Sequence, residues 1–433
     1  MEKNSTTPIN KQWIFFTLAS FLGCTLLILS LSNGRDRQNL LDLQYLRTSS
    51  ALSPRSTTTT TDASKVESPR QFDGIKEEDH GNLRQKECDI FDGNWVFDDK
   101  NNTYPLYKAS QCPFLSDQVN CRRNGRQDFD YEKWSWKPKK CEIPRFNGTD
   151  MLERLRGKRV IIAGDSINRN QWESLSCLLY SVVSPSEAEV NVISGVYKVF
   201  RAKDYNCSIE FYWSPFLVKL DETPTKKRRK GRRVLKLDAM ASSARQWQGA
   251  DIMVFNTGHW WVHDGKLQTW DFLQFKGKLV KNLEVETAFE MGMKTWAHWI
   301  DSNVNSTKTT VFFRSISPEH KLEKQWCHNQ TQPILDESYT ELFPRSIMGI
   351  VEKTIQEMRT PVKYLNITRL SQYRKDAHPT VYTSKQGKLL TKEQRKQPEV
   401  YGDCSHWCLP GLPDTWNVLL YALTFLENSR ETL

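Results

Sequence analysis

The sequence contains no internal repeat and no second paired cluster of Cys and His residues, and both absences narrow its class. Without a repeat, a repeat-array architecture is excluded. A structural zinc site usually takes four ligands, commonly from two such clusters. Cys404, His406 and Cys408 are potential ligands in the one place where such residues gather. A metal site is therefore the weakest explanation for that segment, and we expect no bound metal.

Acidic residues are fewer than basic ones, since 51 Asp and Glu stand against 61 Lys and Arg and give a net charge of +10. This balance favours an anionic partner or surface, but it does not select a fold. Residues 226–233 carry seven of the positive charges and resemble a nuclear-localisation or polyanion-binding patch. The secretory features described next argue against a nucleus and a nucleic-acid partner. The run is then either an exposed loop or a patch for an acidic polysaccharide or a membrane surface.

Residues 13–32 form a 20-residue apolar run without charge. At about 1.5 Å per residue, a helix of this length crosses one hydrocarbon core. A cleaved signal peptide, with Ser30 and Ser32 at the cleavage site, is the alternative, although the apolar region of a signal peptide is usually shorter. We expect an uncleaved signal anchor that follows a cytosolic tail, residues 1–12, and leaves the remainder of the chain in a lumen.

The chain has ten cysteines, of which Cys24 lies in the apolar run. The other nine lie in a region with many Asn-x-Ser/Thr acceptors for glycosylation: Asn101, Asn147, Asn206, Asn305, Asn329 and Asn366. Cysteines together with such acceptors are typical of an oxidising secretory compartment. Because nine is odd, at least one thiol is unpaired or pairs between chains.

Composition divides the remainder into three parts. Residues 33–86 are polar and rich in Ser and Thr, cannot bury a core, and are predicted to form a flexible stem. Residues 87–146 are rich in Cys, Trp and turn signals, which predicts a small, disulfide-stapled N-terminal subdomain. This subdomain is either a stabilising cap or one aromatic wall of a carbohydrate groove. Residues 147–433 form the third part, a predicted catalytic domain.

The third part has the pattern of an α/β fold. Short apolar runs predict strands at residues 159–163, 209–213, 252–256 and 310–314. Apolar residues at helical spacing predict helices at residues 168–180 and 285–300, the latter with Phe289, Met293, Trp296 and Ile300 on one stripe. Strands alternating with helices favour a mainly parallel sheet that is covered on both faces.

The candidate general base lies near the C-terminus, within residues 403–417. If residues 403–408 form one helical turn, Asp403 and His406 project on one side, and Cys404 and Cys408 on the other. The carboxylate then accepts a hydrogen bond from one imidazole nitrogen and leaves the other nitrogen free as a base. The alternative is a rigid loop that disulfides hold in place, with a surface histidine.

The candidate nucleophile is Ser166, which follows Gly164 and Asp165 between the first predicted strand and its helix. Glycine permits the tight turn, and backbone N–H groups at the start of a helix can stabilise an oxyanion. The alternative is an ordinary helix cap. Ser166 with Asp403 and His406 would supply a nucleophile, a base and the group that orients the base.

Two further residues are candidates for the oxyanion site, Arg169 and Asn256. Asn256 is the last residue of the strand predicted at residues 252–256, at the strand end where open α/β sheets place their ligands. It could instead simply close a turn. His259 is a rival base, but it has no carboxylate at the spacing that Asp403 has from His406.

Residues 164–175 and the pattern Asp-Cys-x-His-Trp-Cys-Leu-Pro-Gly-x-x-Asp-x-Trp-Asn at residues 403–417 resemble the plant trichome birefringence-like family. The resemblance covers about residues 88–425 and includes residues 256–261 and 317–320. In the N-terminal block the family pattern is matched by Tyr131, Trp134, Trp136, Pro138, Cys141, Pro144, Arg145 and Phe146. One departure is Gln127, where the family usually has proline.

The resemblance implies polysaccharide O-acetyltransferases of the plant Golgi membrane, with a three-layer fold similar to SGNH/GDSL esterases. It implies Ser166 as nucleophile, with His406 and Asp403 completing the triad. The implied disulfides join Cys88 to Cys141, Cys112 to Cys177, Cys121 to Cys408 and Cys327 to Cys404, and leave Cys207 unpaired. From the sequence alone, eight cysteines allow 105 pairings.

We therefore expect a single-pass type II Golgi protein that transfers acetyl groups to hydroxyls of a cell-wall polysaccharide through an acyl-serine intermediate. It binds no cofactor but uses an acetyl donor, acetyl-CoA or another carrier, and transport proteins for that donor are potential partners. Trp260, Trp261 and Trp407 are the candidate sugar contacts. An acetylesterase with the same triad, and a non-enzymatic polysaccharide binder, are the alternatives.

Overall fold

The computed structural model describes residues 88–98, 103–192, 194–223, 232–263, 265–280, 283–321, 326–336, 338–339 and 345–425. The predicted tail, anchor and stem, most of the basic run and the acceptor Asn101 lie outside these residues. Among the residues that are described, no helix has the length and apolar character needed to cross a membrane.

The described chain contains strands and helices in mixed order. The strands are β1 Gly93–Phe97, β2 Trp134–Pro138, β3 Arg159–Gly164, β4 Ala188–Asn191, β5 Tyr197–Ala202, β6 Cys207–Trp213, β7 Val218–Thr223, β8 Arg232–Met240, β9 Ile252–Phe255, β10 Phe272–Phe275, β11 Lys278–Val280, β12 Thr310–Arg314, β13 Val362–Leu365, β14 Ser384–Lys385 and β15 Lys388–Leu389. The α-helices are α1 Gly148–Arg154, α2 Ser166–Tyr180, α3 Ala244–Trp247, α4 Val285–Asn303, α5 Arg345–Glu357, α6 Thr368–Gln372, α7 Lys392–Arg395, α8 Pro398–Tyr401 and α9 Leu412–Phe425. As the sequence pattern predicts, α-helices lie between β3 and β9, between β9 and β12, and between β12 and β13. In contrast, β4 to β8 follow one another with no described α-helix between them.

The central sheet has seven strands in the order β13-β12-β9-β3-β6-β5-β4. The five strands from β13 to β6 are parallel, whereas β5 and β4 are antiparallel additions at one edge. The α/β prediction is confirmed, and the sheet is mainly parallel, as expected. After β3 the chain adds β4, β5 and β6 on one side, and later β9, β12 and β13 on the other. The strand order thus reverses at β3, which is where open α/β sheets bind their ligands.

Strand β3 is apolar along its length because both faces of the sheet are covered. Val160 and Ile162 pack in the cluster that includes residues of α2 and α9, and Ile161 and Ala163 pack in the cluster on the opposite face with α4 and α5. This alternation follows from the two-residue period of a strand. The result is three layers, with helices on both sides of the central sheet.

Three smaller sheets accompany the central one in the described part of the chain, and one of them is the antiparallel pair of β14 and β15. Strands β1 and β2 form an antiparallel pair in which Trp95 lies opposite Trp136. Strands β11, β10, β8 and β7 form a separate four-stranded sheet. The described end of the basic run, Arg232 and Arg233, begins β8, where Arg233 lies 3.7 Å from Asp271.

Four disulfides cross-link the described chain, and they agree with the pairing that the family resemblance implies. They are Cys88–Cys141, Cys112–Cys177, Cys121–Cys408 and Cys327–Cys404. Cys112–Cys177 connects a distant segment to α2, the helix that Ser166 begins. Cys121–Cys408 and Cys327–Cys404 connect two other distant segments to the loop that carries His406. Cys207 is a free, buried thiol, and burial raises its pKa to about 11.

Candidate active site

Ser166 is the first residue of α2 and directly follows the turn at the carboxyl end of β3. Its side chain is half-buried. Gly164 is required at this turn because an added Cβ would overlap Asn256 Oδ1 and lie 2.8 Å from the Asn256 carbonyl oxygen. The close approach of β9 to β3 thus fixes the position from which the Ser166 hydroxyl projects.

Asp165 caps α2 and organises the residues around the turn. Its Oδ1 accepts a hydrogen bond of 2.9 Å from the Ile167 N–H, and its Oδ2 accepts one of 3.3 Å from Asn256 Nδ2. The Asp165 N–H donates in return to Asn256 Oδ1. Asn256 is fully buried. One hydrogen of the Asn256 amide therefore binds Asp165. Only the second amide hydrogen could make the oxyanion contact that the sequence predicted.

His259 is engaged at both ring nitrogens. Nδ1 lies 3.4 Å from Asp165 Oδ2, and Nε2 lies 2.7 Å from the Ser317 carbonyl oxygen. A carbonyl only accepts, so Nε2 carries a hydrogen and donates it. Burial opposes charge on His259, but the Asp165 carboxylate prevails and raises the pKa of this imidazole. His259 supports Asp165 in this arrangement and is not available as a base for Ser166.

Asp403 and His406 are in contact, but not through the helical turn that the spacing suggested. Residues 403–408 form an irregular loop, in which Asp403 makes a β-bridge with Thr380. Asp403 Oδ1 accepts hydrogen bonds of 3.0 Å from the N–H groups of Ser405 and His406. This side-chain-to-backbone turn competes with helix formation. The prediction of a helix is therefore wrong.

The loop nevertheless produces the predicted dyad. Asp403 Oδ2 lies 2.8 Å from His406 Nδ1. Burial favours the neutral acid, but the His406 charge and the hydrogen bonds from His406 and Ser405 outweigh it and hold the pKa of Asp403 far below its usual range. Asp403 is thus an ionised acceptor, so Nδ1 carries a hydrogen in either charge state of the ring, and Nε2 has the lone pair when the imidazole is neutral.

His406 Nε2 is the atom that a general base would use. It is buried and has no hydrogen-bond partner among the described residues, so no bond joins it to Ser166 in this structure. Asn170, one helical turn after Ser166, accepts from the Trp407 N–H at 2.8 Å and donates to the Trp407 carbonyl at 3.2 Å. These two bonds hold the His406 loop against the first turns of α2.

Arg169 lies in the first turn of α2 and faces the N-terminal part of the chain. Its guanidinium donates a hydrogen bond to Gln118 Oε1, and its Nε lies 3.6 Å from the Glu173 carboxylate. Gln118 Nε2 in turn lies 3.3 Å from Asp403 Oδ2. Arg169 is therefore connected to the dyad, and its role toward an oxyanion stays a prediction.

The three tryptophans predicted to contact sugar differ in exposure. Trp261 is 1% exposed and its indole donates to Thr257, while Trp407 is fully buried and stacks on His378 at 3.8 Å. Neither can reach a substrate, so both predictions are wrong: each indole fills the core next to the site. Trp260 is half-buried and forms an edge-to-face pair with the half-buried Trp213.

The potential metal ligands of the His406 loop are already bound to other residues, which argues against a metal site there. Cys404 and Cys408 are both in disulfides, and His406 Nδ1 is taken by Asp403. Among the described residues no group of three or more His, Cys, Asp or Glu side chains is arranged to hold a metal ion.

Three residues at the candidate site were not predicted from the sequence: Gln118, Asn170 and Trp213. Asn170 could have been predicted, because it follows Ser166 by one helical turn. Gln118 and Trp213 carried no such signal. Gln118 lies 285 residues before Asp403, and only the tertiary structure brings them together.

Sequence comparisons agree with this architecture. Residues 143–423 match the GDSL/SGNH-like acyl-esterase family found in Pmr5 and Cas1p, and residues 86–142 match the PMR5 N-terminal domain. The chain is 46% identical to protein trichome birefringence-like 1 of Arabidopsis thaliana over 78% of its length and 61% of that relative's. It is 44% identical to xylan O-acetyltransferase 6 of Oryza sativa subsp. japonica, over 77% of this chain and 62% of the relative.

A third relative is matched over more of its own length. Protein trichome birefringence-like 31 of Arabidopsis thaliana is 42% identical, over 77% of this chain and 82% of the relative. The chain thus spans about three-fifths of the length of the first two relatives and four-fifths of the third. It belongs to the GDSL/SGNH-like acyl-esterase family found in Pmr5 and Cas1p and, within it, to the trichome birefringence-like proteins.

Proposed function

We propose that this protein is an O-acetyltransferase that transfers acetyl groups to hydroxyls of a plant cell-wall polysaccharide through an acyl-Ser166 intermediate. The observation that carries the proposal is the Asp403–His406 dyad. The hydrogen bonds between Asn170 and Trp407 hold this dyad beside the first turns of α2, the helix that Ser166 begins. The similarity to a xylan O-acetyltransferase supports the choice of reaction and of substrate class.

In the first half-reaction, His406 Nε2 takes the Ser166 proton as Oγ attacks the acetyl carbonyl carbon of the donor. The Asp403 carboxylate stabilises the imidazolium that forms. Backbone N–H groups at the start of α2, with Arg169 or the remaining amide hydrogen of Asn256, hold the oxyanion. The donor's leaving group then departs with the proton from Nε2, and the acetyl group remains on Oγ.

In the second half-reaction, a sugar hydroxyl gives its proton to His406 Nε2 and attacks the acetyl carbon. Ser166 Oγ leaves and regains a proton from Nε2, which restores the enzyme. An acceptor competes with water only if it is held in place. We assign this holding to Trp213 and Trp260, whose half-buried rings lie on strand ends that flank β3: Trp213 ends β6 opposite Gly164, and Trp260 follows β9.

The location is part of the proposal and is based on the sequence pattern. Residues 13–32 serve as a type II signal anchor and residues 33–86 as a stem, so that the catalytic domain lies in the Golgi lumen. The sequon residues Asn147, Asn206, Asn305 and Asn329 are exposed, as glycan acceptors have to be. The acetyl donor is acetyl-CoA or another carrier, and proteins that transport the donor across the membrane are the expected partners.

The test uses the purified full chain with an acetyl donor and a panel of xylan, mannan, xyloglucan and pectin oligosaccharides. We expect an acetylated oligosaccharide for at least one class, no product from Ser166→Ala, and a raised KM for the acceptor in Trp260→Ala. Trp134→Ala is the matched control, because Trp134 is half-buried in the sheet formed by β1 and β2. Loss of acetyl groups from every acceptor, without any gain, would refute the transferase.

Polysaccharide acetylesterase is the second candidate, because the matching family is described as acyl-esterases. The two reactions share the acyl-serine and differ in whether water or a sugar hydroxyl takes the acetyl group. Triad variants abolish both, so only the fate of the acetyl group separates them.

A further inference from the structure

Gln118 contacts two parts of the candidate site that come from distant parts of the chain. Its Oε1 accepts a hydrogen bond from the Arg169 guanidinium in α2. Its Nε2 lies 3.3 Å from Asp403 Oδ2 and 3.1 Å from His406 Nδ1. One half-buried amide thus lies between the nucleophile's helix and the dyad.

The partners of Gln118 determine which way its amide points. A guanidinium only donates hydrogen bonds, so the atom that faces Arg169 is the carbonyl oxygen. The amide nitrogen then faces the dyad, and it also only donates. Asp403 Oδ2 can accept from it, whereas a protonated His406 Nδ1 cannot. With a donor at this place, the favourable arrangement is an ionised Asp403 that accepts from both Gln118 and His406 Nδ1.

The backbone around Gln118 is fastened to the segments next to the dyad. Thr383 Oγ1 donates to the Gln118 carbonyl at 2.9 Å, and the Leu409 N–H donates to the Val119 carbonyl at 2.9 Å. The disulfide between Cys121 and Cys408 adds a covalent link two residues after His406. Gln118 therefore has a fixed anchor from which it can hold other groups in place.

We propose that Gln118 is a positioning residue through which the N-terminal subdomain, residues 87–146, completes the active site. It holds the Asp403–His406 dyad at a fixed place relative to Arg169 and favours the tautomer in which His406 Nε2 is the base. This inference rests on the proposed function, in which Ser166 requires that base. The charged and titratable groups around the amide are Arg169 and Glu173 on α2 and Asp403 and His406 on the loop.

Two substitutions of similar size distinguish the hydrogen bonds of Gln118 from the space that its side chain fills. Gln118→Met fills the same space without hydrogen bonds, and we expect kcat for cleavage of an aryl acetate to fall roughly tenfold to a hundredfold, with KM little changed. Gln118→Glu keeps an acceptor for Arg169 but puts a carboxylate beside Asp403. Because a nearby negative charge favours the imidazolium, we expect the acid limb of the pH profile to move up by about one unit or more.

The matched control is Gln127→Met in the same N-terminal domain. Gln127 is exposed, and its side-chain amide donates to the Gly125 carbonyl of its own loop at 3.3 Å. It should change neither kcat nor the pH profile. If the two Gln118 variants behave like this control, or lose only thermal stability, Gln118 is structural and the inference is wrong.

A second measurement keeps the inference separate from the proposed function. In histidine-labelled full chain, the His406 ring signals are followed by NMR as the pH is raised, with His406→Ala for assignment. We expect Gln118→Glu to move the His406 titration to higher pH. If the wild type neither cleaves acetate esters nor reacts at Ser166 with a fluorophosphonate, the proposed function fails. An unmoved titration refutes the role of Gln118 whether or not the protein is active.

Discussion

Asp403 uses its two carboxylate oxygens for different purposes. Oδ1 accepts the backbone N–H groups of Ser405 and His406 and shapes the loop, while Oδ2 accepts from His406 Nδ1 and Gln118. Loop geometry and base orientation thus depend on the same side chain. A change that keeps Oδ1 and alters only Oδ2 separates the two purposes.

Asp403→Asn is that change. The amide group in place of Oδ2 donates toward His406 Nδ1, so Nδ1 loses its hydrogen and Nε2 gains one, which blocks the base. We expect kcat to fall by about three to four orders of magnitude while the melting temperature changes little. Steady-state kinetics on an acetyl ester and differential scanning calorimetry measure the two quantities. Activity within tenfold of the wild type would mean that the dyad does not supply the base.

The tryptophans next to the motifs show that the exposure of a side chain cannot be predicted from its position in the sequence. Trp260, Trp261 and Trp407 all adjoin site residues in sequence, and sequence proximity cannot tell which rings face solvent. Trp261 and Trp407 are packed inward, where their N–H groups donate to Thr257 and Ser317. Only Trp260 is half-buried, and its partner Trp213 carried no motif. Which side chains face a groove is decided by tertiary packing.

Helix α9 begins with a buried acidic group that is separate from the catalytic residues. Asp414 accepts hydrogen bonds from Ser174 of α2 at 2.5 Å and from the Gly411 N–H at 2.8 Å. Burial exceeds the effect of these bonds and raises the pKa of Asp414 to about 7. A carboxyl group whose pKa is higher in the folded state stabilises the protein below its unfolded pKa, about 3.9, and loses that contribution as the pH rises toward 7.

Asp414→Asn should therefore change how stability depends on pH. A shift from about 4 to 7 corresponds to about 4 kcal/mol, since one unit is worth about 1.4 kcal/mol. We expect wild-type stability to fall between pH 4 and 7 and the asparagine variant to show a flatter profile over that range. Melting temperatures across the range provide the measurement. Parallel profiles for the two proteins would show that Asp414 does not titrate there.

The central strands were predictable because their sequences are locally distinctive. The apolar run before Gly164 predicted β3, and the observed strand β12 has the predicted bounds, Thr310–Arg314. The four-stranded sheet was not predicted, because β7 is rich in charged residues and β11 has only three residues, two of them exposed. The helical turn at residues 403–408 was wrong because the Asp403 side chain binds the backbone of its own loop. Such competition depends on local geometry that spacing does not reveal.

The disulfides make the N-terminal domain part of the catalytic architecture. Cys121–Cys408 connects residues 287 apart and joins the Gln118 segment to the His406 loop, whereas Cys88–Cys141 closes 53 residues within the N-terminal domain. Both should contribute to stability, since removal of a native disulfide costs about 2–5 kcal/mol in small secreted domains. Only the first should affect the geometry of the site.

The pair Cys121→Ser/Cys408→Ser should lose activity at temperatures where it is still folded, because the dyad is no longer fastened to the N-terminal domain. Cys88→Ser/Cys141→Ser is the control, with a lower melting temperature but a kcat close to that of the wild type. Kinetics below both melting temperatures make the comparison. Equal kcat values for the two variants would contradict a catalytic role for the longer link.

For the whole protein, the proposed topology predicts N-glycans and an intact anchor. Plant-expressed protein should shift in gel mobility on glycosidase treatment, because the exposed acceptors Asn147, Asn206, Asn305 and Asn329 would face the lumen. N-terminal sequencing should not find a mature terminus near residue 33. Such a terminus would support a cleaved signal peptide, and an absent shift would contradict luminal exposure.

The most direct measurement follows the acetyl group itself. The full chain is incubated with an isotopically labelled acetyl donor, quenched with acid, and Ser166 peptides and added oligosaccharides are analysed by mass spectrometry. We predict label on Ser166 in the absence of acceptor, and transfer of that label to a sugar hydroxyl when the matching oligosaccharide is added. Label that never appears on Ser166, or that leaves Ser166 only as free acetate with every acceptor, would contradict the proposed acetyltransferase.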